Sequence, residues 1–88
     1  MDIETIWERI KRHEGETFST IRGILFEYEI KGDNRIQPLP HNNSTIFPIL
    51  KKTIEECLPL IPLKNTTLVQ GFRAPSYIFA ILTDKRIV

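Results

Sequence analysis

The chain has 88 residues and a mass of 10.3 kDa, room for one small domain, which the reading assigns to residues 1–88. Hydrophobic residues make up 41% of it and charged residues 26%, which excludes a chain disordered by composition, and no apolar run approaches the roughly 18 residues of a membrane span. The net charge of +1 falls short of the strongly basic signature of a dedicated nucleic-acid binder, and a lone Cys57 rules out both an intramolecular disulfide and a cage of clustered thiolates.

In chain order, Ile3, Ile6, Trp7 and Ile10 recur at i, i+3, i+4 and i+7 and so share one helical face. Asp2, Glu4 and Glu8 crowd the N-terminal end and Lys11, Arg12 and His13 close the other, both in the favourable sense for the macrodipole. Gly15 supplies a left-handed stop. A helix over about residues 2–13 is expected.

Thr17 to Ile21 is short and rich in β-branched and aromatic residues, as a strand requires. After the turn at Gly23, apolar Ile24, Phe26, Tyr28 and Ile30 alternate with Leu25, Glu27, Glu29 and Lys31, the pattern of a half-buried antiparallel strand. Gly32-Asp33-Asn34 marks a turn, and Arg35 to Gln37 returns as a third strand. Pro38 and Pro40 are expected to end it, because proline cannot donate to a ladder.

Beyond a polar loop at Asn42 to Thr45, a helical stripe of Ile46, Phe47, Leu50, Ile54, Cys57 and Leu58 predicts a second helix over about 46–58, with Pro48 in its first turn. Pro59 stops it. Leu60 to Leu63 reads as an extended crossing, Thr66 to Gln70 as a short strand and Gly71 to Ala74 as a turn. Residues 76–83 are apolar on every side, so periodicity does not separate strand from helix there. Pro75 suits a first helical position, and a short helix over 75–83 is preferred. The fold class is α+β: an N-terminal helix, a three-stranded antiparallel meander, a second helix and a short C-terminal strand or helix unit. The helices are expected to pack on one sheet face through Trp7, Ile10, Phe26, Tyr28, Leu50 and Ile54.

Catalysis needs a positioned nucleophile or an acid–base pair, and candidates are few. Cys57 with His41 is the one thiol–imidazole combination, but Cys57 falls on the apolar stripe and reads as a small core residue. His13 near Glu14 or Glu16 reads as a helix-end cation before it reads as a metal ligand. No phosphate loop, paired-cysteine motif, His-Glu-x-x-His box or Gly-x-Ser-x-Gly elbow occurs, so no enzyme, cofactor or metal is expected. Without the features of a signal peptide, the single cysteine and unmodified sequons point to the cytoplasm.

Charge is spread unevenly. Residues 1–29 hold seven acids against four bases, and residues 30–88 hold eight bases against four acids. Among the bases outside the polar faces of both helices are Arg22, Lys31 and Arg35 on the meander and Arg73 in the later turn, where Phe72 and Tyr77 flank it. These four are the candidate nucleic-acid contacts, since each stands beside a turn that brings it close to a phosphate. The expectation is a small non-catalytic binding module with nucleic acid ahead of a protein partner. A homodimerising adaptor or a subunit of a larger assembly is the alternative, because Trp7, Phe72 and the run from Leu58 to Leu63 could supply apolar contacts.

Overall fold

A computed structural model describes residues 2–88 of the protein. Helix α1 spans Ile3–Arg12. Asp2 stays extended outside it, and its carboxylate accepts the Thr5 backbone N–H at 2.8 Å, satisfying one of the donors a helix start leaves free. Ile6, Trp7 and Ile10 are buried, so the apolar face read from the sequence is the face that packs. Gly15 takes the expected left-handed turn, with φ of 85°.

The chain then forms four strands: β1 (Phe18–Ser19), β2 (Leu25–Lys31), β3 (Arg35–Pro40) and β4 (Ile49–Leu50). They lie in one antiparallel sheet in the order β1-β2-β3-β4. Gly32 and Asp33, both with positive φ (61° and 57°), make the β2–β3 turn whose hand suits twisted strands.

The sheet departs from expectation in three places. Strand β1 is shorter, because Thr20 leaves the ladder to close a tight loop: its N–H and hydroxyl bond Ile24, and its carbonyl takes the Gly23 N–H. Strand β3 is longer and runs through both prolines. His41 N–H bonds the Leu25 carbonyl at 2.8 Å, so with alternating strand geometry the odd positions of β3 face β2 while Pro38 and Pro40 point their nitrogens away. On that side the ladder with β4 has already ended, so no donor is needed there. The third departure is β4 itself, which takes the start of the expected second helix. Pro48 disfavours helical backbone at Phe47, Ile49 is buried opposite Ile36, and the Lys51 N–H bonds the Asn34 carbonyl.

Helix α2 therefore begins only at Lys51 and runs Lys51–Cys57, followed by a 3-10 turn at Leu58–Leu60 that contains Pro59. The short strand expected at Thr66 to Gln70 is instead a 3-10 turn, Thr66–Val69. Asn65 caps it by accepting the Thr67 N–H, which commits the following residues to a helical turn. Helix α3 spans Pro75–Leu82, as preferred from the sequence, with Pro75 at its start.

The inner sheet face, with Phe26, Tyr28 and Ile36, meets the buried sides of all three helices in one core. Phe26 stacks edge-on against Tyr77 of α3 with ring centres 4.8 Å apart. Of the six packing residues expected, Trp7, Ile10, Phe26, Tyr28 and Ile54 are buried; Leu50 is 48% exposed, because β4 turns it to the outer sheet face. Trp7 is thus a core residue and not a surface anchor, and Phe72 is half buried against the core.

Candidate interaction surface

The segment between β3 and β4 is a strap of exposed, mostly polar residues that ends in Phe47 and Pro48. Asn43 holds a left-handed conformation (φ 63°), and the Asn42 side chain accepts the Ser44 N–H at 3.0 Å. Gln37 reaches from β3 to donate its amide to the Ile46 carbonyl at 2.9 Å, pinning the strap along the proline edge of the sheet. Pinned there, Ile46 is half buried while Phe47 is left 60% exposed.

Shallow depressions flank the strap on both sides. One lies against the proline edge of β3, one against the start of α3, and one between β4 and the turn at Gly71 to Arg73. They hold about 320, 170 and 280 Å³ and stand open to solvent. Arg73 is the one charged residue lining these three, and no carboxylate borders any of them.

The four cations singled out from the sequence do not form one cluster. Arg22 sits in the β1–β2 turn beside Ile21, which is 67% exposed. The seven residues of β2 separate it from Lys31, roughly 20 Å at strand rise. Lys31 and Arg35 are direct cross-strand neighbours, but Lys31 is held by Glu29 at 2.9 Å. Arg35 faces Leu50 on its other side. Arg73 lies over the Phe47 ring, 4.4 Å from its centre, and lines one depression together with Leu50. Of the four, Arg73 therefore stands beside the exposed pair Phe47 and Leu50, while the Arg35 guanidinium lies by Gly32 in the β2–β3 turn. Neither has an ion-pair partner among the described residues.

Sequence reasoning missed Phe47 and Leu50 because helical spacing assigned both to a buried stripe. The Phe47-Pro48 pair was the signal that the helix starts later.

Polar side chains also cluster away from this surface. Glu27 accepts the Thr17 hydroxyl at 2.8 Å and pairs with His41 Nε2 at 2.7 Å, and these bonds, His41 first, hold its carboxyl below the ordinary range. The Thr17 hydroxyl bonds the carboxylate and not the imidazole. Cys57 is fully buried and not hydrogen-bonded to His41, and burial pushes its thiol up to about 11. His13 contacts Glu16 at 2.9 Å, while Glu14 is engaged by the Ile30 N–H. Among the described residues no three His, Cys, Asp or Glu side chains group to hold a metal ion. None of the helices is long and apolar enough to cross a membrane.

Comparisons with protein-family models, with curated proteins and with solved structures each find no match.

Proposed function

We propose that the protein is a non-catalytic binding module that docks a protein partner on the surface formed by Phe47 and Leu50 beside Arg73. The observation that supports this reading is an exposed aromatic and an exposed leucine, 60% and 48% open, beside Arg73, which has no ion-pair partner among the described residues. Aromatic and arginine side chains dominate interface hot spots because they combine large apolar area with directional polar contact. The depressions around them are open to solvent, which suits the side chains of another chain.

Parallel affinity captures test the reading, with the wild-type protein and a Phe47→Ala, Leu50→Ser variant as baits. A partner held by the first and lost by the second, and reproduced with both proteins purified, is the expected result. Capture indifferent to both substitutions overturns it.

Single-stranded nucleic acid is the second reading, favoured by the stack of Arg73 on Phe47, which is the chemistry of a base platform. It predicts oligonucleotide binding that weakens steeply between about 50 and 200 mM salt and a shallower salt slope in Arg73→Ala. With Lys31 tied to Glu29 and Arg22 at the far end of β2, few cations remain to follow a phosphate backbone, which is why the protein partner is preferred.

A further inference from the structure

Independently of partner docking, we infer that the depression at the start of α3 binds a phosphate monoester carried on a small aromatic or aliphatic body. Thr45, Ile46 and Phe47 of the strap form one wall, and Ala74, Pro75, Ser76 and Tyr77 form the other. The backbone leaves one donor free there. Ala74 is left-handed, with φ of 57°, and its carbonyl takes the N–H groups of both Tyr77 and Ile78. Pro75 has no N–H, so among the described residues Ser76 keeps the free donor of the first turn, at the positive end of the helix.

Tyr77 points independently to a ligand. The chain has two tyrosines, and both are buried. The Tyr28 hydroxyl donates to the Ile10 carbonyl, as a core hydroxyl ordinarily does. Tyr77 is 7% exposed and lines the depression, yet its hydroxyl has no hydrogen-bond partner among the described residues. Burial raises that hydroxyl's pKa, so it stays a donor at neutral pH. Ser76 and Thr45 add a hydroxyl from each wall. No carboxylate borders the depression, and the Arg73 guanidinium lies over the Phe47 ring, 4.4 Å from its centre. A free N–H at a helix start, three hydroxyls and a neighbouring guanidinium suit the several oxygens of a phosphoryl group. Ile46, Phe47 and Pro75 supply an apolar wall that a bare inorganic ion leaves unused.

Titration of the isotope-labelled protein with phenyl phosphate, inorganic phosphate and phenol tests this, read from amide resonances. Phenyl phosphate is expected to shift Thr45, Ser76 and Tyr77 and to bind about tenfold more tightly than inorganic phosphate. Ser76→Ala and Tyr77→Phe should each weaken it about tenfold, the loss of one hydrogen bond to a charged group. Tyr77→Phe keeps the ring that packs on Phe26, and unfolding midpoints of both variants are measured alongside. Equal affinity for inorganic phosphate overturns the organic body. Phenol binding as tightly as phenyl phosphate, shifts confined to other amides, or affinity unchanged in both variants overturns the site itself.

Discussion

Trp7 is the largest side chain in the core, and its indole N–H has no hydrogen-bond partner among the described residues. A buried donor left unpaired costs about 1–3 kcal/mol, so part of what the ring contributes by burial is offset by its own nitrogen. Trp7→Ala is expected to lose about 3–5 kcal/mol and Trp7→Phe only about 1–2, measured by denaturant unfolding. Equal losses would mean that the nitrogen is paired. Tyr28 presents the converse case. Glu14 N–H turns to the Lys11 carbonyl, leaving the Ile10 carbonyl free near the helix end, and the buried Tyr28 hydroxyl donates to it at 2.5 Å. Burial raises the hydroxyl's pKa, so it stays a donor at every ordinary pH. Tyr28→Phe should therefore cost about 1–2 kcal/mol while leaving the aromatic packing in place. Cys57, with its thiol pushed up to about 11 by burial, should react with a thiol reagent only as fast as the protein opens. Rapid labelling of the folded protein at neutral pH would contradict its place in the core.

Individual elements are tied together mostly by side chains that cross between them. Arg86, in the turn after α3, forks onto both carboxylate oxygens of Asp84 at 2.9 Å. It also bonds Glu16 and the Thr17 carbonyl, and its guanidinium lies 3.8 Å from the centre of the Phe18 ring. One residue thus fastens the C-terminal turn to the segment that becomes β1. The Arg86 hydrogen bond holds the Asp84 carboxyl below its ordinary 3.8. A carboxyl with a lowered folded pKa takes up its proton more readily when unfolded, so its stabilisation is present above pH 3.8 and is lost as the pH falls below it. Unfolding midpoints measured from neutral pH down to acid should fall through that window, and Arg86→Ala should flatten the fall while lowering stability at neutral pH. Arg86→Lys should rescue little, because an ammonium neither forks nor stacks as a guanidinium does. The edges of the sheet follow a related logic. Pro38 and Pro40 leave one edge without donors, and Arg86 takes the Thr17 carbonyl beside β1 at the other. A Pro38→Val, Pro40→Val variant restores two donors on the first edge. It should show more concentration-dependent association in sedimentation than the parent.

At the scale of the whole molecule, the uneven charge of the two halves of the chain is largely taken up inside it. Lys51 reaches Glu4 at 3.3 Å and Arg86 reaches Glu16 at 3.2 Å, each joining a base of the second half to an acid of the first. Such exposed pairs contribute little individually, but they leave less charge for steering a partner. Of the apolar stretch from Leu58 to Leu82, Leu63, Val69, Ile78, Ile81 and Leu82 are buried within one copy, while Leu60 and Leu68 stay exposed. The radius of gyration, 11.6 Å, is close to the roughly 12 Å of a compact chain this long. The pair beside the strap is among the large hydrophobics that stay exposed, so Phe47→Ala and Leu50→Ser should each change stability by less than about 0.5 kcal/mol. A larger loss in thermal unfolding would assign both residues to packing and remove them from the docking surface.

The amphipathic face and caps of α1, the alternation of β2, the turn at Gly32 and Asp33, and the start of α3 at Pro75 were all legible in the sequence. Each rests on interactions between residues a few positions apart, where helical and strand periodicity act directly. The α+β class followed from them. What only the tertiary structure decided was the fate of residues 38–50. Pro38 and Pro40 fit a strand because the ladder beyond them ends, Ile49 joins the sheet because Ile36 lies opposite, and Phe47 and Leu50 stay in solvent because that pairing delays α2. The same holds for the four cations, whose grouping depends on which strand ends and turns meet in space. Pairing partners and edge positions are properties of contacts distant along the chain, and local propensity carries no record of them.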